Sequence, residues 1–135
     1  GGTARAYSPE VRDQIEREIG RLAEGTARMF GIEAEYRFLR RIPPVVNDPG
    51  ATARALETAR EVFGASVRTA FPPSTAGDDI AFFAGEAPGC YVWLGNGPAT
   101  NGALHHNTAY DFNDGAIASG VRFWTRLVER ELAAG

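Results

Sequence analysis

The sequence predicts an α/β fold, and three observations support that prediction. Apolar residues recur at helical spacing in three long segments, around residues 9–30, 49–63 and 113–132. Between them, residues 32–39 alternate apolar and polar side chains with a period of two, and residues 90–94 form an apolar run between glycines. Predicted strands that alternate with predicted helices along a chain indicate a mixed α/β architecture.

The first part of the chain reads as a β-α-β unit. Residues 2–7 are predicted to form a short strand, and residues 32–41 a second strand with one solvated face. Between them, Ser8 begins a helix that Gly31 ends. Its predicted buried face comprises Val11, Ile15, Ile19, Leu22, Met29 and Phe30, opposite a solvated face of Arg12, Glu16, Glu18 and Arg21.

The second part starts afresh after the double proline Pro43-Pro44, a candidate hinge. Asp48 is the predicted N-cap of a helix that ends at Gly64. The predicted elements beyond it are a strand at 65–71, a short apolar turn at 80–83, a strand at 90–94, a glycine-rich loop from Gly95 to Gly102 that includes Asn101, and a final helix from about Asn113 to Leu132. The final helix is expected to bury Ile117, Val121, Trp124, Leu127 and Val128.

Composition narrows the classes of function. The 135 residues suit a single ordinary domain, and no apolar run is long enough to span a membrane. A net charge of -3 argues against nucleic acid as the main partner. The single cysteine, Cys90, requires no oxidising compartment, so we expect a cytoplasmic protein. All 14 basic residues are arginines, which excludes a lysine Schiff base and a P-loop.

Both histidines of the chain, His105 and His106, stand side by side just before Asp111, Asn113 and Asp114. Imidazole is a common metal ligand and proton carrier, so this cluster is the candidate site. The acidic and amide side chains have an alternative role, because helix N-termini recruit them as caps. In an extended chain the two imidazoles would point to opposite faces, so one site would take only one of them.

One histidine cannot hold a catalytic zinc ion, which typically needs three protein ligands. The remaining ligands would have to come from another stretch of polypeptide or from the nearby acids, which are Asp78, Asp79, Asp111 and Asp114. Asp78 and Asp79 also have a capping interpretation, at the start of the short apolar turn. By its residues alone, the chain shows an incomplete site.

Four segments, in this order, resemble the C-terminal portion of the M20 metallopeptidase family, in its aminoacylase/hippurate hydrolase branch. Gly2–Arg12 is similar to a strand-to-helix segment of the family's lid domain, and Pro43–Pro49 to the crossing back to the catalytic domain. Ala76–Phe82 resembles a Gly-x-Glu-Asp-Phe segment. His106–Asp114 resembles the closing His-Asn-Pro-x-Tyr-Asp-Phe-Asn-Asp, the most specific of the four.

The resemblance implies that His106 is the last metal ligand of a site with two divalent ions, Zn, Mn or Co. Three residues depart from the family pattern: Thr108 replaces proline, Asp78 replaces glutamate and Ile80 replaces phenylalanine. The family's other ligands and its general base match nothing here and would lie upstream of Gly1. The implied chemistry is attack of metal-activated water on an amide carbonyl. The resemblance therefore places no catalytic residue within this chain.

The resemblance predicts half of a lid domain at residues 1–44 and the closing part of a catalytic domain at 45–135. The parent enzyme would hydrolyse an N-acyl amino acid, with no nucleic-acid or membrane partner and a possible homodimer formed through the lid. Asn47 and Arg5 are candidates for the substrate carboxylate or the cleft. Asp78, Asp79, Asp111 and Asn113 are candidates for support of the site.

A second hypothesis comes from a different class of function. An isolated β-α-β unit has exposed strand edges, and such edges pair readily with a second copy or a larger partner. The chain could then be a non-catalytic dimerisation or interaction module that needs no metal.

Overall fold

The computed structural model describes residues 1–98 and 102–133, and the four helices found there define the architecture. They are α1 (Pro9–Met29), α2 (Pro49–Phe63), α3 (Ile80–Glu86) and α4 (Gly115–Ala133), with a 3-10 turn at Gly64–Ser66 after α2. The three long helices confirm the prediction, and α3 extends the predicted apolar turn into a short helix. Asn101 of the predicted glycine-rich loop lies outside the described residues.

The predicted helix boundaries at α1 and α2 are confirmed by their hydrogen bonds. The Ser8 hydroxyl accepts the backbone N–H of Val11 at 3.2 Å, and the Asp48 carboxylate accepts that of Ala51 at 2.7 Å. Each cap satisfies a backbone donor that the first helical turn leaves unpaired. Gly64 directly follows α2 with φ 55°, a left-handed conformation that glycine adopts without steric cost.

The four predicted strands do not form in the structure, which corrects the prediction. None of the segments 2–7, 32–41, 65–71 and 90–94 forms a β-ladder within the part of the chain that the structure describes, and the 3-10 turn takes up residues 65–66. A strand is defined by backbone hydrogen bonds to a neighbour, and side-chain periodicity alone cannot supply one. Here α1 contacts the segment 32–41, and the side chain of Asn47 contacts the segment 90–94.

The chain divides into two compact units. The first comprises Gly1–Val46 with Pro72–Ala87, and the second Asn47–Phe71 with Pro88–Gly135. The change of unit after Val46 lies beside the boundary at 44/45 that the sequence predicts. The assignment of these parts to a lid domain and a catalytic domain stays a prediction.

In the first unit, residues 36–40 run along α1. The ring of Tyr36 covers Gly20, and the guanidinium of Arg40 pairs with Asp13 at 2.9 Å and with Glu16. Tyr36 and Arg40, four residues apart, thus both contact α1. The predicted alternation is only partly reflected in burial, since Tyr36 and Phe38 are half-buried whereas Ile32 and Ala34 are exposed.

The second unit is built on α2 and α4, which pack antiparallel. Three ion pairs show this direction, because residues later in α2 pair with residues earlier in α4. They are Arg54–Glu131 at 2.7 Å, Glu57–Arg130 at 2.6 Å and Glu61–Arg126 at 2.7 Å. Phe63 and Phe123 stack at the same interface, with ring centroids 6.0 Å apart. Thr58 at its centre is fully buried, and its hydroxyl donates to the Arg54 carbonyl at 3.1 Å.

Several predicted core residues are exposed, which is a second correction. Met29 and Phe30, at the end of α1, are 83% and 72% exposed. On α4, Phe123 is buried, whereas four residues expected inside are exposed: Ile117, Val121, Trp124 and Val128. The packed face of each helix is decided by which partner it meets. On α4 that is the face of Phe123, Arg126 and Arg130 toward α2.

Of the helices in residues 1–98 and 102–133, none combines the length and apolar character that crossing a bilayer requires.

Candidate functional site

The two histidines lie in a tight turn of the second unit. The backbone N–H of Asn107 donates to the Leu104 carbonyl at 3.1 Å, and His106 adopts φ 68°. Because the chain turns here, the imidazoles do not diverge as they would on an extended segment: their ring centroids are 5.0 Å apart. Both side chains are exposed, so the structure brings two accessible imidazoles to one place.

Aromatic rings continue from this turn onto residues 91–93. The Trp93 ring centroid lies 6.2 Å from that of His105, and the Tyr91 centroid lies 5.8 Å from that of Trp93. We call these four rings, of Tyr91, Trp93, His105 and His106, the ring row. Centroid separations of this size are typical of favourable aromatic contacts, so the row links the histidine turn to the segment that follows Cys90.

A pair of asparagines closes the loop that carries the histidines. The backbone N–H of Asn113 donates to the side-chain oxygen of Asn96 at 3.0 Å, and the Asn113 side-chain amide donates to the Asn96 carbonyl at 3.1 Å. The other side-chain atom of Asn113, its oxygen, accepts the N–H of Gly115 at 3.0 Å, at the start of α4. Asn113 therefore caps the helix, as predicted, and also joins the two ends of the loop.

Asn47 makes a similar clasp at the other end of the segment. Its side-chain amide donates to the Tyr91 carbonyl at 3.0 Å, and its side-chain oxygen accepts the Tyr91 N–H at 2.9 Å. An amide side chain thus engages both backbone groups of Tyr91, as a neighbouring strand would. This contact gives the predicted cleft residue a structural role, and its role toward a substrate stays a prediction.

The predicted residues of the first unit lie in a different setting. The Asp78 carboxylate accepts the backbone N–H of Ile80 at 3.0 Å, and Asp79 occupies the N-cap position of α3. The Asp78 hydrogen bond agrees with the capping interpretation, whereas the Asp79 side chain makes no capping hydrogen bond to α3. Arg5 is exposed. Its role, like that of exposed Asp111 in the second unit, stays a prediction.

The described residues do not make a complete metal site. Across 1–98 and 102–133, no group of three or more His, Cys, Asp or Glu side chains is placed to hold an ion. An exposed imidazole has the chemistry of a single ligand, and His106 offers one. A catalytic zinc site needs about three protein ligands, so the described residues do not form one by themselves.

Glu61 in the second unit and Tyr36 in the first have shifted pKa values. The hydrogen bond from Arg126 lowers the pKa of Glu61, with a further contribution from Arg130. In the first unit, partial burial raises the pKa of Tyr36, and the nearby Glu16 carboxylate raises it further. Glu61 contacts α4 and Tyr36 contacts α1, so both shifts bear on the stability of contacts within a unit.

Trp93 and Asn96 escaped the sequence analysis as site residues. The sequence pattern predicts a glycine-rich loop at Asn96 and a strand at 90–94 that includes Trp93. Trp93 is 67% exposed. The available signal was Asn96 between two glycines, because small residues allow a side-chain amide to approach backbone closely.

Comparison with known proteins adds the family context. Residues 5–130 match the sequence profile described as Peptidase family M20/M25/M40. No solved structure matches the chain significantly.

Three curated relatives illustrate the range of matches. The chain is 29% identical to N-acetylcysteine deacetylase of Bacillus subtilis (strain 168) over 127 residues, which are 93% of this chain and 32% of that protein. It is 29% identical to N-acetyldiaminopimelate deacetylase of Enterococcus faecalis (strain ATCC 700802 / V583), covering 89% and 31% of the two chains. It is 28% identical to hippurate hydrolase of Campylobacter jejuni subsp. jejuni serotype O:2 (strain ATCC 700819 / NCTC 11168). That match covers 96% of this chain and 33% of the hippurate hydrolase.

The chain thus spans about a third of the length of these relatives. The profile match, however, extends over nearly all of the sequence in hand and includes the histidine turn. The chain belongs to peptidase family M20/M25/M40.

Proposed function

We propose that this chain forms part of a metal-dependent amidohydrolase that cleaves the amide bond of N-acyl amino acids, and that His106 supplies one metal ligand. The observation that carries the proposal is the placement of His106: an exposed imidazole in the turn that opens the family-like His106–Asp114 segment. The names of the relatives, two deacetylases and a hippurate hydrolase, support the substrate class.

The role proposed for this chain is limited to what its residues can do. A divalent ion, when bound, supplies Lewis acidity that activates water. The identity and number of the ions, two of Zn, Mn or Co by the family resemblance, belong to the proposal. His106 would bind and orient one of them, while the clasp of Asn113 and Asn96 holds the loop on which His106 lies. The general base and the other ligands would come from the remainder of a protein of the relatives' length.

Recognition of the substrate is proposed for Arg5 and Asn47. A guanidinium suits a carboxylate because it donates two parallel hydrogen bonds, and Arg5 is exposed. Asn47 already uses both atoms of its amide on Tyr91, so contact with a substrate would require it to exchange one of those bonds. Of the two, Arg5 is the better candidate for direct contact.

The arrangement into a partial lid (residues 1–44) and a partial catalytic domain (residues 45–135), with dimerisation through the lid, is also part of this proposal. The change of compact unit after Val46 supports a division near this point, although Pro72–Ala87 belongs to the first unit. The cytoplasmic location proposed from the single unpaired cysteine, Cys90, is compatible with the same class of enzyme.

The test is His106→Ala in the gene product extended to the length of the relatives. We expect loss of hydrolysis of N-acetyl amino acids and of N-benzoylglycine by at least about 100-fold, since loss of metal-ligand support typically costs 10- to 100-fold and a ligand should cost more. Metal content per chain, measured by plasma emission, should fall with it. The exposed α1 variant Arg28→Ala is the matched control and should retain both.

An extended protein that hydrolyses none of these amides and purifies without metal would contradict the proposal. The non-catalytic interaction module would then be the better interpretation. The exposed apolar residues Met29 and Phe30 at the end of α1 favour that second candidate.

A further inference from the structure

We propose that Trp93 and Asn96 are positioning residues that fix the imidazole of His106. The positioning itself is independent of the proposed function. Its purpose, which is to present His106 as a metal ligand, rests on that function. Both residues belong to the same short segment, residues 91–96, which we call the platform.

Asn96 closes the loop that carries His106. Asn96 and Asn113 are 17 residues apart in sequence, and two hydrogen bonds join them at 3.0 and 3.1 Å. Both histidines lie within the loop that this contact closes. Joining two points of a chain reduces the number of conformations open to the residues between them. The clasp therefore restricts where His106 can be, although Asn96 is ten residues away from it.

The ring row, which includes Trp93, also reaches His106. Trp93, three residues before Asn96, contacts the ring of His105, with centroids 6.2 Å apart, and His105 contacts His106 at 5.0 Å. Loop closure restricts the backbone, whereas ring contacts restrict the side-chain torsions. Together they restrict the backbone and the side-chain torsions of His106, which decide where its imidazole nitrogens point.

The backbone of His106 itself adopts an uncommon conformation. Its φ of 68° lies in the left-handed region, which a residue with a Cβ adopts only at a cost in free energy. Such a conformation persists where surrounding contacts over-determine it, and it occurs often at functional sites. The local hydrogen bond from the Asn107 N–H to the Leu104 carbonyl forms this turn, and the clasp and the ring row add contacts from the platform.

The platform is itself anchored, as a positioning element must be. Asn47 clasps the backbone of Tyr91 at one end. Leu94 packs so closely against α4 that a Cβ built on Gly120 would lie 3.1 Å from Leu94 Cδ2. Contacts from two other elements thus hold the segment that in turn holds the histidine turn.

The experiment is NMR of the imidazole carbon–proton resonances in the present 135-residue chain, without metal. Asn96→Ala and Trp93→Leu should move the His106 resonances toward those of an unstructured peptide. Asn96→Asp retains an oxygen that can accept the Asn113 N–H, and Trp93→Phe retains a ring, so both should keep most of the wild-type shift. Helix content from circular dichroism verifies that each variant is folded.

Asn47→Ala is the matched control, because it also removes an asparagine side chain that makes two hydrogen bonds to the platform, but at the end far from the loop in sequence. Its effect on the His106 resonances should be much smaller than that of Asn96→Ala, because the packing of Leu94 against Gly120 still anchors the platform and the Asn96–Asn113 clasp remains. Unchanged His106 resonances in both Asn96→Ala and Trp93→Leu would overturn the proposal. Equal shifts in Asn47→Ala and Asn96→Ala would overturn it as well, since they would indicate general loosening.

A second readout separates this inference from the proposed function. Substoichiometric Co²⁺ should broaden the His106 resonances of the wild-type chain, and Asn96→Ala should raise the concentration needed several-fold. If the broadening of other resonances is the same in His106→Ala as in wild type, the ligand role proposed for His106 fails, while the metal-free spectra still decide on positioning. If His106→Ala abolishes the broadening but Asn96→Ala needs no more Co²⁺ than wild type, only the positioning fails.

Discussion

Gly20 lies beneath the phenol ring of Tyr36: a Cβ atom built on Gly20 would come within 2.9 Å of Tyr36 Cδ1. Real Cβ atoms do not approach a ring carbon so closely, so any larger residue would displace the ring. Displacement of Tyr36 would also disturb the pairing of Arg40 with Asp13 and Glu16, farther along the same segment. The missing side chain at Gly20 is thus what allows residues 36–40 to lie on α1.

Gly20→Ala should therefore fail to stabilise α1, although alanine in a helix interior is normally favoured over glycine by about 1 kcal/mol. Gly25→Ala in the same helix is the control, because a Cβ there has open space and should give that gain. Thermal unfolding followed at 222 nm compares the two. A gain at position 20 as large as at position 25 would show that Tyr36 does not cover the helix.

Acid should weaken the contact between α2 and α4 through Glu61. The hydrogen bond from Arg126 lowers the pKa of Glu61 in the folded chain below the ordinary value of about 4.3. The folded state then binds fewer protons than the unfolded state, so this contribution is present above about pH 4.3 and is lost as pH falls through the lowered pKa.

Glu61→Gln should thus lower the melting temperature near pH 6 by a modest amount, since the group is partly exposed, and the difference from wild type should shrink below about pH 4. Glu33→Gln, outside this network, is the control and should show no such pH dependence. A difference between Glu61→Gln and wild type that is constant from pH 3 to pH 7 would mean that the Arg126 pairing does not form.

Asn47 should contribute to stability through its clasp on Tyr91. Asn47→Ala removes two hydrogen bonds, worth about 1–3 kcal/mol together at 0.5–1.5 each. Asn47→Asp keeps an acceptor for the Tyr91 N–H but loses the donor to the Tyr91 carbonyl, so its loss should be intermediate. Urea unfolding measures all three chains, and alanine and aspartate variants as stable as wild type would argue against the clasp.

His106 should be a position where glycine is more stable than alanine. The φ of 68° is free of cost for glycine and costs a residue with a Cβ about 1–2 kcal/mol. His106→Gly and His106→Ala both lack the imidazole, so their difference in unfolding free energy isolates the backbone. If alanine proved equal to or better than glycine, the left-handed turn would be absent in solution.

Local signals in the sequence were sufficient for the helices and their ends. Ser8 and Asp48 cap the helices they were predicted to cap, and Gly64 follows α2 in the conformation that its lack of a Cβ permits. Capping depends on residues three or four positions apart, so the information lies within one stretch of chain. The same holds for the family resemblance, which rests largely on the continuous His106–Asp114 segment.

Pairing between distant segments could not be predicted in this way. Residues 32–41 have the alternation of a strand, yet whether they pair with another strand or lie on α1 depends on what is adjacent in space. The same reason explains Phe123, buried by Phe63, and Trp124, left exposed one position later. A hydrophobic pattern indicates which faces can be buried, and only a partner decides which one is.

By itself, the sequence determined the helices, their caps, the family and the histidine on which the proposed chemistry depends. The tertiary structure alone decided which distant groups contact the histidine loop: Trp93 lies against His105, and Asn96 is joined to Asn113. The physical reason is the range of the interactions. Caps and periodicity act within a few residues, whereas the Asn96–Asn113 clasp joins groups 17 residues apart, whose proximity depends on how the intervening chain folds.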